Sequence, residues 1–143
     1  MKTSIFKTIS ITLLTLIFAT SVTYAASEKL SGKAANFTLK SRSGKNIKLS
    51  EQRGNVVMLN FWASWCGPCQ AMAPVISALA LEFGDQVVFA SCDIDSQPKI
   101  AQRYAIDSIP TLILFYMGEP VEVLSGVVPQ THIAESINKI LNG

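Results

Sequence analysis

Seven residues, Val56-Val-Met-Leu-Asn-Phe-Trp62, form a nearly unbroken apolar run that ends four residues before the first cysteine of Cys66-Gly-Pro-Cys69. A run of that length and character predicts a central strand buried on both faces. From Gly67 to Phe83 the period changes: Met72, Ile76, Leu79, Ala80 and Phe83 recur at helical spacing, and Gly84-Asp85 closes the segment. A buried strand that passes through a dithiol turn into a helix commits the chain to an α/β fold. Pro74 lies inside the helical pattern, removes a backbone donor and predicts a kink.

The remaining segments extend that order. Val87 to Asp95 reads as the next strand, and a shorter helix is expected from near Pro98. Thr111 to Tyr116, a turn at Met117-Gly118-Glu119-Pro120, and Val121 to Gly126 form a strand-turn-strand unit. The last helix carries Ile133, Ile137, Ile140 and Leu141 on one face. Before all of this, "FTLKSRSGKNIKLS" alternates apolar and polar residues about Ser43-Gly44 and predicts an N-terminal hairpin extension. The implied architecture is a mixed central sheet with helices on both faces.

At 143 residues the chain has room for one core and one domain. Residues 1–25 read as a secretory signal peptide: Lys2 and Lys7 with no acid, an apolar stretch from Ile9 to Phe18, then "TYA" before Ala26. The stretch falls short of the about 20 apolar residues that cross a bilayer, so an uncleaved anchor is disfavoured. Residues 26–143 are then the mature domain. Loss of Lys2 and Lys7 takes the net charge of +2 to neutrality. A neutral domain without a basic block offers no footprint for nucleic acid or for an anionic membrane surface. Export also places the three cysteines where disulfides persist, which leaves one thiol over.

Cys66 lies where the strand gives way to the helix, so the unpaired N–H groups of the first turn and the positive end of the helix dipole favour its thiolate. A thiol so placed can titrate between about 3.5 and 7.5 instead of about 8.5. Cys66 is therefore the candidate nucleophile. Cys69, three residues on, falls within reach of a bond to it and is expected to be the more buried of the two. Cys69 would resolve the mixed disulfide that Cys66 forms with a substrate. Pro68 restrains the turn between them and Gly67 lets a substrate backbone approach. Two other readings of the pair compete. A zinc site needs four ligands, and only Cys92 and His132 remain to complete one. A purely structural staple is little needed by a domain of this size. Redox exchange fits best and requires no cofactor, because the electrons pass between sulfurs.

"FWASWCGPC", Pro74, and "SIPTLILFYMGEPV" with Gly118 in its turn and Gly126 beyond it resemble the thioredoxin family over nearly all of residues 54–141. The resemblance implies a thioredoxin fold and a cis peptide at Ile109-Pro110 facing the Cys66 sulfur, where Ile109 would make backbone contacts to an extended substrate. Taken alone, Pro110 reads as an ordinary strand-initiating proline. Trp65 belongs to the substrate surface in this reading, and Trp62 to the core. Family thioredoxins commonly bury an aspartate where this chain has Asn60 and place a lysine where it has Ser91. Asn60 is thus either a polar aid to the deprotonation of Cys69 or a hydrogen-bonded core residue. Cys92 reads as a buried, inert thiol and His132 as solvated.

The stretch from Ala34 to Cys69 resembles instead the extracytoplasmic, TlpA-like and cytochrome c maturation branch of that family. That branch often has a glutamate where this chain has Met72 and usually an extra helical insertion, which this chain lacks. The combined resemblance implies a monomeric extracytoplasmic thiol-disulfide oxidoreductase, periplasmic where such a space exists, that reduces protein disulfides. Its implied partners are disulfide-containing exported proteins, apocytochrome c among them, and a membrane-embedded thiol reductase as electron donor. An oxidase or isomerase of the same fold, and a peptide-binding module that uses the cis-proline groove without turnover, are the alternatives.

Overall fold

The computed structural model describes residues 36–41 and 44–143, so the expected signal peptide and the lead-in after it lie outside the described residues. In chain order the elements are β1 (Thr38–Lys40), β2 (Asn46–Lys48), β3 (Val56–Trp62), α1 (Gly67–Phe83), β4 (Val87–Asp93), α2 (Pro98–Arg103), β5 (Thr111–Tyr116), β6 (Glu119–Ser125) and α3 (Gln130–Asn142). Strands β3 to β6 form one mixed sheet in the order β4-β3-β5-β6. Strand β3 runs parallel to β4 and antiparallel to β5, and β6 is antiparallel to β5.

The apolar character of β3 follows from its central place, since side chains on both of its faces are covered. Val57, Leu59 and Phe61 join β1, β2, Ala101 and Tyr104 of the α2 segment in one core. Val56 and Met58 join Met72, Ile76, Leu79 and Phe83 of α1 and Ile133 and Ile137 of α3 in the other. Helices therefore lie on both faces, as the segment order implies.

The N-terminal hairpin exists as expected: β1 pairs antiparallel with β2, Leu39 opposite Ile47. It sits beside α2 over one face of the sheet, and an isolated antiparallel bridge from Ser41 to Ala90 joins it to the β4 edge. Phe37 anchors it, with its ring 6.2 Å from that of Tyr104 and 6.0 Å from that of Phe115. Arg103 Nη1 donates to the Asn36 carbonyl at 3.2 Å and closes the contact from the α2 side.

Two boundaries and the buried face of α3 differ from the sequence expectation. Strand β4 stops at Asp93, two residues early, because the Asp93 side chain accepts from the Asp95 N–H and turns the chain. The β5–β6 turn is only Met117-Gly118, both at positive φ (54° and 80°), and Glu119 and Pro120 already belong to β6. Pro120 is tolerated there because β6 is an edge strand. On α3 Leu141 is exposed near the helix end, and the buried row holds Ser136 with Ile133 and Ile137. Helix α1 continues through Pro74, whose ring faces outward.

Candidate functional site

The site begins where β3 ends. Ala63, wholly buried, accepts from the Cys66 N–H at 3.2 Å, and the Gln70 side chain donates to the Ser64 carbonyl at 3.0 Å. These two bonds fold Ser64 and Trp65 into the tight passage from strand to helix. Cys66 takes an extended conformation as the N-cap of α1, and its sulfur accepts the Cys69 backbone N–H at 3.1 Å. That is the place a Ser or Asp side chain fills in an ordinary capped helix. A thiolate at Cys66 would meet the same donor and the helix dipole. Pro68 in the first turn supplies a fixed φ where no donor is needed.

Cys66 and Cys69 are joined as a disulfide, with Cα atoms 5.3 Å apart. Each cysteine is 5% exposed, so the expectation that Cys69 would be the more buried is corrected: the two are equal. The reason is the apolar collar. Trp62, Ile94 and Ile109 pack against the cluster of Ala63, Cys66 and Cys69, and so shield Cys66 although it caps a helix end.

Ile109-Pro110 is a cis peptide. Pro110 is buried and Ile109 half-buried against the disulfide cluster. The loop is held by Gly126 N–H donating to the Pro110 carbonyl at 2.8 Å and by Thr111 Oγ1 donating to the Ser108 carbonyl at 2.8 Å. Trp65 is 67% exposed, with its indole Nε1 donating to Asp95 Oδ2 at 2.8 Å. Gly67 and Pro68 are exposed beside it. The disulfide thus stands at the head of α1, beside an exposed indole and the Pro110 loop.

Asn60 points to the α1 side of the sheet, 8% exposed, and its Oδ1 has no hydrogen-bond partner. Its register partner on β4 is Ser91. Cys92 faces the opposite core, fully buried, and burial with Asp93 nearby pushes its thiol up to about 11. His132 is exposed at the start of α3. Neither residue stands with the Cys66–Cys69 pair. The Trp65–Asp95 bond was not visible in the sequence, because its partners are thirty residues apart and nothing marks Asp95 as different from Asp93.

A sequence model of the family described as thioredoxin matches residues 42–139. The chain belongs to the thioredoxin family. It is 42% identical over 85 residues to thioredoxin 1 of Synechococcus elongatus, covering 59% of this chain and 79% of that protein. It is 39% identical over 92 residues to a Staphylococcus aureus thioredoxin, covering 64% and 88%. Among solved structures, Fasciola hepatica thioredoxin superimposes with a TM-score of 0.60 at 34% identity, over 64% of this chain and 86% of that one. The oxidised form of mitochondrial thioredoxin 3 from Saccharomyces cerevisiae does so at 0.58 and 27% identity, over 64% and 82%. This thioredoxin-family chain is accordingly a protein-disulfide oxidoreductase, with Cys66 and Cys69 as its redox pair. Strand β1 and Phe37 precede the matched region and lie outside the part that defines the family.

Proposed function

We propose that this thioredoxin-family protein is exported and reduces disulfides in other extracytoplasmic proteins. The Cys66 thiolate attacks a substrate disulfide, forming a mixed disulfide and releasing one substrate thiolate. The Cys69 thiolate then attacks Cys66 Sγ, which closes the Cys66–Cys69 bond and releases the second substrate thiolate. Two electrons pass to the substrate, and an external dithiol restores the pair by the same steps in reverse. Trp65, Ile109 and Pro110 bind the substrate segment, Gly67 and Pro68 shape the turn, and Asn60 supports Cys69 from below.

The observation that carries the direction is the chemical poverty of the surroundings of Cys66. Its sulfur accepts one backbone N–H, and the apolar side chains of Trp62, Ile94 and Ile109 pack against the pair. Strong oxidants owe their power to a reduced form stabilised by heavy support of the thiolate. A dithiol without that support holds its electrons less tightly and passes them on. Export is supported by the leader-like residues 1–25, and the TlpA-like resemblance of the N-terminal stretch supports apocytochrome c as one client and a membrane-embedded thiol reductase as donor. The domain works as a monomer in this reading.

Acid quenching of growing cells, followed by a mass-adding alkylator and cell fractionation, tests it. The expected result is a mostly reduced pair in the extracytoplasmic fraction. A mostly oxidised pair that donor overexpression does not shift, or a protein confined to the cytoplasm, overturns it.

A further inference from the structure

We propose that Asp107, together with Asp95, makes this protein select disulfides whose neighbouring residues carry positive charge. The proposal rests on the reading that the pair exchanges with disulfides of other proteins, and it adds which of them are preferred.

The placement follows from the sheet. Strand β3 lies between β4 and β5, parallel to the first and antiparallel to the second. The ends of β3 and β4 and the start of β5 therefore meet at one end of the sheet, with the passage to Cys66 between the other two. Beyond β4, Ile94 donates its N–H to the Trp62 carbonyl at 3.0 Å and packs against the cysteine cluster, and the next residue, Asp95, accepts from the Trp65 indole. Before β5, Ile109 packs against the same cluster, and Asp107 stands two residues earlier. Chain length alone keeps the Cα atoms of Asp107 and Ile109 within about 8 Å of each other. Asp107 is exposed and accepts from the Ser108 hydroxyl at 3.1 Å, a neutral donor that leaves the charge in place.

The loops that lead out of β3, β4 and β6 and into β5 are residues 63–66, 94–97, 126–129 and 104–110, and the charged residues in them are Asp95 and Asp107, both acidic. Asp93, half-buried at the end of β4, adds a third carboxylate. The basic residues between Asp95 and Asp107 in sequence, Lys99 and Arg103, lie on α2. Arg103 is turned to the hairpin, where it donates to the Asn36 carbonyl. Lys99 is exposed in the first turn of α2, and one cation against three carboxylates leaves the face negative. The whole chain carries +2, so a preference for cationic clients has its source in this face and not in net charge. A client joined to Cys66 as a mixed disulfide brings the residues beside its own cysteine to these loops. Opposite charges there speed encounter and hold register, and like charges exclude the wrong client.

The experiment is a single turnover of the purified, reduced protein with two peptides. Each is closed by one disulfide, and they differ only in carrying lysine or glutamate beside the cysteines. Each turnover moves two electrons and two protons from the Cys66–Cys69 dithiol to the peptide, which leaves the protein disulfide and the peptide dithiol. Every rate is divided by that of neutral dithiothreitol on the same peptide, which removes the peptides' own reactivity. In about 10 mM salt, where screening reaches about 30 Å, the lysine peptide should be favoured about threefold to tenfold. In about 1 M salt, where it reaches about 3 Å, the ratio should approach one. Asp107→Lys should bring the low-salt ratio to one or below. The ratio is the readout, so a variant that turns over slowly still reports, and the salt dependence of the wild type needs no variant at all. A wild-type ratio within twofold of one in low salt, a ratio that salt does not change, or one that Asp107→Lys leaves in place overturns the proposal. If the reduced protein acts on neither peptide while its disulfide form oxidises both dithiols with the lysine peptide ahead, the reductive direction falls and the selectivity stands.

Discussion

The Trp65 indole donates to the Asp95 carboxylate at 2.8 Å and ties the loop that carries the dithiol to the loop that follows β4. Trp65 remains 67% exposed, so the bond holds a ring at the surface instead of in the core. Asp95→Ala should free the ring and raise KM for a protein disulfide about two- to fivefold, in line with the loss of one exposed hydrogen bond to a charged group. Exchange with a small disulfide, which does not need the indole, should be unchanged. Steady-state kinetics on both substrates checks this, and Asp95→Asn, which keeps an acceptor, should restore most of the difference.

The hairpin is structural. Phe37, Tyr104 and Phe115 form an edge-to-face triad at 5.5 to 6.2 Å in which Phe37 alone comes from outside the family-defining region. Phe37→Ala should cost about 3 to 5 kcal/mol, the usual loss for a buried phenylalanine. Urea unfolding measures it, and a loss below about 1 kcal/mol would mean that the hairpin is only an appendage.

Ala105 (φ 50°) and Met117 (φ 54°) are non-glycine residues at positive φ. Ala105 ends α2, where its N–H and that of Ile106 cap the Gln102 and Ala101 carbonyls. Met117 opens the two-residue β5–β6 turn, a position that asparagine or glycine occupies with less strain. Ala105→Gly and Met117→Asn should each stabilise the fold by about 0.5 to 1 kcal/mol. Thermal unfolding of the two single variants and their combination checks the gain and its additivity.

Cys92 gives a pH prediction. Burial first, and Asp93 second, raise its thiol from 9.0 to about 11 in the folded chain. Between those values the unfolded chain has lost the proton and the folded chain keeps it, so stability is full below pH 9 and falls as pH climbs toward 11. One such group contributes a slope of no more than about 1.4 kcal/mol per pH unit. Cys92→Ala should flatten that part of the stability curve, measured by denaturant titration at several pH values. In the native wild type at neutral pH, Cys92 should resist an alkylating agent that labels reduced Cys66.

Much of this was legible in the chain. The limits of β3 and α1 coincide with the sequence expectation, because seven apolar residues, a turn of Gly and Pro, and a change of period leave little freedom. The proline at position 120 misled for a physical reason: it reads as a turn breaker, yet an edge strand has no ladder bond there to lose. The equal burial of the two cysteines depends on Ile94 and Ile109, which converge from two distant loops that no local pattern joins. Nor could spacing show that Asn60 keeps an unpartnered oxygen, since that depends on every neighbour across two elements.

The account's central claim is that Cys66 attacks and Cys69 resolves, and trapping tests it most directly. Cys69→Ser, expressed in full in cells and captured after acid quenching, should accumulate mixed disulfides joined through Cys66. Peptide mass spectrometry should place every linkage there, and Cys66→Ser/Cys69→Ser should abolish them. Complexes that persist in the double variant, or an absence of complexes from Cys69→Ser beside abundant ones from Cys66→Ser, would contradict the assignment.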